Sequence, residues 1–251
     1  MSLDNLKREA AENLRRLIEN EYPGRGIILG RSMDATQAIQ VYWLMGRSEN
    51  SRNRLLQERG PAVRTAAADP GKMEDPSLVI YTAMREIPGH FLVSNGDHTD
   101  ALAAGMTAGR SFEDVLSDSK HEPDGPHWTP RIAGDTALLN GQIRFRLAIL
   151  KADPFGSNRT VREFFQYEDI APGFGWCVTT YRGNRNPLPS FSGEPYLMPL
   201  PEGPEKLADM IWNHLNNENR VALAVKAIDA QAGTSMVILR NRHKAKKGGR
   251  G

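Results

Sequence analysis

Three short runs hold most of the side chains that could do chemistry. The first, His121-Glu122-Pro123-Asp124-Gly125-Pro126-His127, gathers two imidazoles and two carboxylates. Such a set can ligate a metal, but its prolines and uneven spacing argue against a defined coordination geometry. The other readings are a solvated loop, or a single carboxylate, Glu122, aimed into a pocket by stiff neighbours. The second run, Ser94-Asn95-Gly96-Asp97-His98-Thr99-Asp100, follows a strand-like segment and precedes a helix-like one. Asn-Gly makes a turn there and Thr99 or Asp100 caps the helix. The same junction presents free backbone N–H groups suited to an anion. The third, Gly46 to Arg54, packs Arg47, Arg52 and Arg54 with Asn50 and Asn53. It reads either as a solvated loop or as an anion or nucleotide cradle, since both residue types supply forks of donors. Thr129-Pro130-Arg131 repeats the theme. Residue types alone leave each choice open.

Several chemistries are excluded. No G-x-S-x-G, Walker A loop or H-E-x-x-H occurs. Gly24, Gly26 and Gly30 lack the spacing of a dinucleotide fingerprint. Cys177 is the single cysteine and sits in an apolar run, so it reads as core, and intrachain disulfides and two-cysteine metal or redox motifs are ruled out.

The 251 residues are 39% hydrophobic and 25% charged, which is a globular composition and long enough to bury a core. The formal net charge is +2, yet Arg240 to Gly251 carry six Lys/Arg and no acid; removing those six leaves the body at −4. A body of that sign is a poor non-specific nucleic-acid binder, so no nucleic-acid partner is expected. No apolar run approaches a membrane span, and the amphipathic N-terminus lacks an apolar signal core, so no membrane association and a cytoplasmic location are expected. Arg outnumbers Lys 23 to 9. That fits bidentate contacts to phosphate or carboxylate, and equally a GC-rich genome.

The elements that must position these residues follow from periodicity. Leu3, Leu6, Ala10, Leu14, Leu17 and Ile18 predict a helix over 2–20 with Ser2 as cap, ended by Tyr22-Pro23-Gly24. Strands are predicted at 26–30, 37–45, 77–81, 91–94, 143–150, 175–181, 221–228 and 236–239. In 37–45, Ile39, Val41, Trp43 and Met45 share one face, and Gln40, Tyr42 and Leu44 the other. Short helices are expected at 99–108 and after the capping pattern at Ser111-Phe112-Glu113-Asp114, and one opens at Gly203-Pro204. The stretch 46–64, with five Arg, reads as too polar for core, and 183–204 as a long loop able to act as a lid. Seven or eight strands, often directly successive, with three or four helices favour an α+β fold with mainly antiparallel sheets. The expected organisation is a helical extension over 1–21, a single domain over 22–240, and a basic, disordered tail over 241–251.

Taken in order, the chemical runs resemble the archaeal-type IMP cyclohydrolase family. The matching pieces are Tyr22-Pro23-Gly24-Arg25 leading to Gly30; Arg47-Ser48 with Asn53-Arg54; Asp75-Pro76 with Tyr81-Thr82; SNGDHTD at 94–100; the Glu122 loop; and Thr129-Pro-Arg-Ile-Ala-Gly134. The likeness covers residues 22–150 well and thins to Thr179-Thr180-Tyr181, the Pro204 helix and the Val221 strand. The chain departs from the family in its helix before Tyr22, a longer Arg47–Arg54 loop, a Pro-rich Glu122 loop, the 183–202 segment and the basic tail.

The resemblance implies a four-layer αββα sandwich of the N-terminal-nucleophile-hydrolase type. The helix before Tyr22 leaves no terminal Ser, Thr or Cys at the first strand, so a self-processing nucleophile is not expected. The implied activity is that of a cyclohydrolase, a hydrolase acting on carbon–nitrogen bonds in cyclic amidines. It closes 5-formamidoimidazole-4-carboxamide ribonucleotide to IMP with loss of water, the last step of de novo purine synthesis. By motif position the resemblance makes Arg54 the cation beside the formyl oxygen and Glu122 the general base. Tyr81 and Asn95 hydrogen-bond the base or carboxamide, and Arg25, Arg47 and Arg131 are candidates for the 5′-phosphate. Asn53 and Gly96 complete the implied substrate contacts. No metal or organic cofactor is expected; the partner is a small-molecule nucleotide, and homo-oligomerisation is left open. The added segments motivate a second reading, a divergent homologue that takes another purine-like nucleotide. A third, from another class, is a nucleic-acid adaptor working through the basic tail.

Overall fold

A computed structural model describes residues 2–139 and 141–244. Along the chain run α1 (Leu3–Glu19), β1 (Gly26–Arg31), β2 (Gln37–Met45), α2 (Glu49–Arg52), β3 (Arg54–Arg59), β4 (Ala62–Ala67), β5 (Thr82–Ile87), β6 (His90–Ser94), α3 (His98–Thr107) and α4 (Phe112–Ser117). Then follow β7 (Arg131–Leu139), β8 (Gln142–Asp153), β9 (Gly156–Tyr167), β10 (Phe174–Thr179), β11 (Tyr196–Pro199), α5 (Pro204–His214), β12 (Arg220–Asp229) and β13 (Ser235–Asn241). Among the described residues these strands build two antiparallel sheets, six strands in the order β11-β10-β1-β2-β12-β13 and seven in the order β3-β4-β5-β6-β7-β8-β9. The expected α+β class with antiparallel sheets is what the chain forms. No helix among the described residues is long and apolar enough to cross a membrane.

Strand alternation sorts the apolar residues into three clusters. Ile39, Val41, Trp43 and Met45 of β2 pack with Leu17 of α1 and Leu207, Ala208 and Ile211 of α5. On the opposite face Tyr42 and Leu44 join Ile27 and Leu29 against Val93, Phe145, Leu147 and Ile149 of the second sheet. The far face of that sheet, through Leu92, Ala133, Ala148 and Leu150, packs on Leu102 of α3 and on Phe112, Val115 and Leu116 around α4. Gly134 lets the two sheets approach, since a Cβ there would lie 3.1 Å from Leu29 Cδ1 and 3.3 Å from Ile27 Cγ2. Ser2 caps α1 by accepting from the Asn5 N–H, and Ser111 caps α4 by accepting from Asp114 N–H, as their spacing implied.

Several expectations are corrected. Residues 46–64 are not excluded from the core: α2, β3 and β4 occupy them, with Arg54, Leu55, Leu56 and Val63 buried. Burying Arg54 is made tolerable by backbone carbonyls, its Nε donating to Ser51 O at 2.7 Å and Nη2 to Met45 O at 3.4 Å. Residues 77–81 form no strand; Asp75 turns the chain by accepting from Ser77 N–H, and β5 starts only at Thr82. The 183–204 loop is shorter than expected because it contains β11 and a bridge between Tyr181 and Ser190. Asn241 is tied to the Leu56 backbone through both ends of its amide, and the rest of the expected tail, from residue 245, lies outside the described residues.

The space between the sheets is apolar in its middle and polar at both ends. At one end lie Gln40 and Lys226, register partners on β2 and β12; Gln40 donates to Phe91 O and Thr136 Oγ1 of the second sheet, and Lys226 is buried and ion-paired to Glu86. At the other end converge the residues just before β1, β5 and β7, just after β6 and β10, and at the start of β3. The turn into β1 is tightly packed. Gly24 has φ +75°, and a Cβ on it would run into the Thr180 hydroxyl and lie 2.6 Å from Tyr181 Cδ2. Gly24→Ala is therefore expected to destabilise the protein by about 3 kcal/mol, the combined scale of a strained left-handed residue and an overpacked contact. Denaturant unfolding checks this, and an unchanged midpoint would show that the turn is slack.

Candidate functional site

Arg25 leaves the Pro23-Gly24 turn with its main chain locked to β10: its N–H donates to Thr180 Oγ1 at 3.1 Å and its carbonyl accepts from Thr180 N–H at 2.9 Å. The guanidinium is thereby directed inward, where Nη2 lies 3.6 Å from Glu122 Oε2. Arg54 arrives from the start of β3 and is 1% exposed. Its Nη1 and the Nε of Arg25 are buried atoms without a hydrogen-bond partner among the described residues. Phenols surround the two cations. Tyr81 and Tyr42 share a hydrogen bond of 2.6 Å between their hydroxyls, and Tyr22 stacks on Tyr181 with ring centroids 5.9 Å apart. Arg25 and the phenols of Tyr81, Tyr42 and Tyr22 lie near enough to Arg54 to act on it electrostatically.

Glu122 reaches this cluster from the Pro-rich loop, which is pinned at both ends. Glu122 N–H donates to Thr129 O at 2.9 Å, and Asp124 accepts from both the backbone N–H and the hydroxyl of Thr129. The Thr129 hydroxyl also contacts the Tyr181 hydroxyl. Asn95, just past β6, donates from Nδ2 to Pro130 O at 3.0 Å and to Glu122 Oε1 at 3.5 Å, while its Oδ1 accepts from Ile132 N–H at 2.8 Å. Burial pushes the Glu122 carboxyl above its ordinary range, with Asp124 adding to the rise, while Arg25, Arg131 and Arg54 pull the other way. Burial wins because the nearest cation stands off at 3.6 Å rather than forming a close bidentate pair. Burial and the neighbouring Arg25 act to lower Arg54, which stays a cation nonetheless because guanidinium does not deprotonate in proteins.

The structure thus brings Arg25, Arg54, Tyr81, Asn95 and Glu122 into one buried cluster. Arg131 and Gly96 lie one wall away: a Cβ on Gly96 would be 2.9 Å from Arg131 Nη1, which pairs with Asp97 and donates to His98 Nδ1 at 2.9 Å. Arg47 stands at the rim, 5.1 Å over the Tyr22 ring, donating to Asn184 Oδ1 and Arg185 O. Asn53 is elsewhere, with both ends of its amide taken by the Asp69 backbone at 2.8 Å. The potential metal ligands of the 121–127 run are dispersed, since His121 meets Thr160 Oγ1 and His127 accepts from Leu188 N–H.

Sequence reasoning weighed Asp124 only as a metal ligand and did not single out Tyr22, Tyr42, Tyr181 or Thr129 as site residues. Tyr42 carried a usable signal: it and Gln40 occupy the inward face of a strand buried on both sides, where a hydroxyl needs a partner. Chemically the cluster offers one carboxylate able to take and return a proton, two fixed cations with unfilled donors, and phenols to bind a planar polar ligand.

Comparison with known families matches residues 22–232 to the family described as IMP cyclohydrolase-like protein. The match takes in every residue of the cluster and most of both sheets, and the chain belongs to the IMP cyclohydrolase-like protein family.

Proposed function

We propose that the protein is an IMP cyclohydrolase, closing 5-formamidoimidazole-4-carboxamide ribonucleotide to IMP with loss of water, and that it serves purine synthesis in the cytoplasm. Family membership supports the reaction class. The three apolar clusters, helices to sheet, sheet to sheet and sheet to helices, support reading the architecture as a four-layer αββα sandwich of the N-terminal-nucleophile-hydrolase type. The single observation that carries the mechanism is a buried carboxylate beside buried cations whose donors are unfilled.

The reacting nitrogen is a carboxamide, a weak nucleophile because its lone pair is delocalised. The reaction is already intramolecular, so holding the carboxamide against the formyl group removes rotational freedom. As the C–N bond forms, negative charge develops on the formyl oxygen, and the free Nη1 of Arg54 is the donor for it. Glu122 takes the proton lost by the nitrogen. It returns that proton to the oxyanion, giving the carbinol; the hydroxyl then departs as water with the proton released from the formamido N–H as the C=N bond closes. Asn95 holds Glu122 through Oε1 and Tyr81 binds the base or carboxamide. Arg47 and Arg131, at the edge of the cluster, remain for the phosphate.

The purified protein is expected to form IMP from the formylated nucleotide, followed by absorbance, and no detectable IMP would refute the reading. Glu122→Gln is expected to lower kcat about 10²–10⁴-fold with IMP binding retained. Arg54→Met is expected to lower kcat by the equivalent of about 3–4 kcal/mol, the scale of losing one oxyanion donor.

The pH profile carries a sign. Glu122 must be ionised to act, and its carboxyl is raised, so activity should fall with acidification at a pH above the ordinary carboxylate range. An acid limb in or below that range would show that another group is the base.

A further inference from the structure

A cavity of about 560 Å³ borders the segment that carries Arg54, and the cyclohydrolase reading leaves it unused. Three stretches distant in sequence frame it: α2 with its C-cap Asn53, the turn at 68–72, and the chain just past β13. Their clamps are specific. Asn53 joins α2 to the turn, its amide donating to Asp69 O and accepting from Asp69 N–H, both at 2.8 Å. The chain past β13 is held by Arg242 N–H, which donates to Val221 O at 2.9 Å, and by the Asn241 amide on the Leu56 backbone. The cavity is therefore built into the folded frame, as ligand pockets usually are. Arg52 and Arg54 part company here. Met45 O and Ser51 O hold Arg54 in its buried place, whereas Gly46 O and Asn219 Oδ1, each at 3.0 Å, hold Arg52 on the cavity wall.

The lining has the chemistry of an anion receptor. Arg52, Lys72, Arg242 and Lys244 supply four cations, with His243 between the last two. Two carboxylates stand against them. Asp69 Oδ1 accepts from Gly71 N–H at 3.3 Å, and Glu49, whose side chain is 84% exposed, lies 3.6 Å from Lys72. A pair so exposed holds its lysine weakly. The anchoring bonds occupy only part of each guanidinium, Nε and Nη2 of Arg52 and Nη1 of Arg242. Arg242 also helps to lower Arg220, after the larger effect of burial, so cations at this edge repel one another and a bound anion would relieve them. Beyond Lys244 the sequence adds Lys246, Lys247 and Arg250 and no acid.

No Phe, Tyr or Trp lines the cavity among the described residues, so a base has no ring to stack on. Four cations spread over three stretches suit several linked phosphoryl groups better than a lone one, and arginine forks suit phosphate oxygens. We propose that this cavity is a second ligand site, separate from the Glu122–Arg54 cluster, and that it takes a chain of phosphoryl groups through charge alone. A nucleoside triphosphate and free tripolyphosphate carry the same chain; the site grips the phosphates and ignores the base.

The test titrates tripolyphosphate, ATP and adenosine into the full chain by calorimetry, as wild type, as the double variant Lys72→Ala with Lys244→Ala, and as Lys206→Ala, an exposed lysine on α5 that serves as control. Both cavity lysines are exposed, so the double variant is expected to fold, and its melting temperature is read alongside. Wild type is expected to bind tripolyphosphate and ATP with similar affinity and adenosine not at all. Each exposed cation is worth a few-fold, so the double variant is expected to weaken both ligands by about three- to twentyfold, with Lys206→Ala leaving them unmoved. Saturating IMP is expected to leave tripolyphosphate binding unchanged. Displacement by IMP, or equal affinities in wild type and the double variant, would overturn the proposal, as would ATP binding far more tightly than tripolyphosphate. None of these titrations reads turnover, so they decide the second site whether or not the protein forms IMP.

Discussion

A guanidinium buried between two sheets with one N–H unpaired is an unfavourable thing for a protein to hold. Each buried donor without a partner forfeits about 1–3 kcal/mol, more when charged. Arg54 carries that deficit at Nη1, and Arg25 carries a second at Nε. The arrangement survives because the rest of each side chain is over-determined: Arg54 by the Ser51 and Met45 carbonyls, Arg25 by a main chain stitched to Thr180. The free donors are ones that a polar, planar ligand could engage. The same deficit explains why phenols rather than carboxylates crowd the cations. Tyr22, Tyr42, Tyr81 and Tyr181 screen the charge without neutralising it, so the donors stay available.

The single carboxylate in the cluster is governed by the same physics with the opposite sign. Burial makes Glu122 a stronger base than a solvated carboxylate, and the 3.6 Å stand-off from Arg25 keeps that basicity from being quenched by a tight ion pair. Asn95 and the Thr129 backbone fix its direction. The polar clamp at the far end of the inter-sheet space, where Lys226 is bound to Glu86, shows the contrasting case. There the buried cation is matched by its carboxylate, and Ser235 donates to the same oxygen at 2.5 Å. Lys226 is thus satisfied, whereas Arg25 and Arg54 keep unfilled donors.

Much of this was legible in the sequence, and the gaps have physical causes. β2 was readable because apolar and polar positions alternate, and α1 because its apolar residues recur at helical spacing and Ser2 caps it. β3 was obscured because its first residue is a buried arginine, which any hydrophobicity count scores as surface. β7 was obscured by Gly134 and by Asp135, which is fully buried only because Arg146, at 2.6 Å, and His90, at 3.1 Å, answer it from neighbouring strands. β9 is an edge strand with little buried face, so no alternation marks it. At the site, the family resemblance named Arg25, Arg54, Tyr81, Asn95 and Glu122, which the fold gathers, whereas the tyrosines from β2, β10 and the first turn meet only through long-range packing. Asn53, on the same run as Arg54, faces away because a strand start turns successive side chains to opposite sides.

The most direct measurement is a crystal structure of the protein with IMP bound. Arg54 Nη1 and a Glu122 carboxylate oxygen are expected to contact the same purine ring, beside Tyr22, Tyr81 and Tyr181. IMP seated away from that cluster, with Arg54 Nη1 still unpaired, would contradict the convergence of cation and base on one reacting ring.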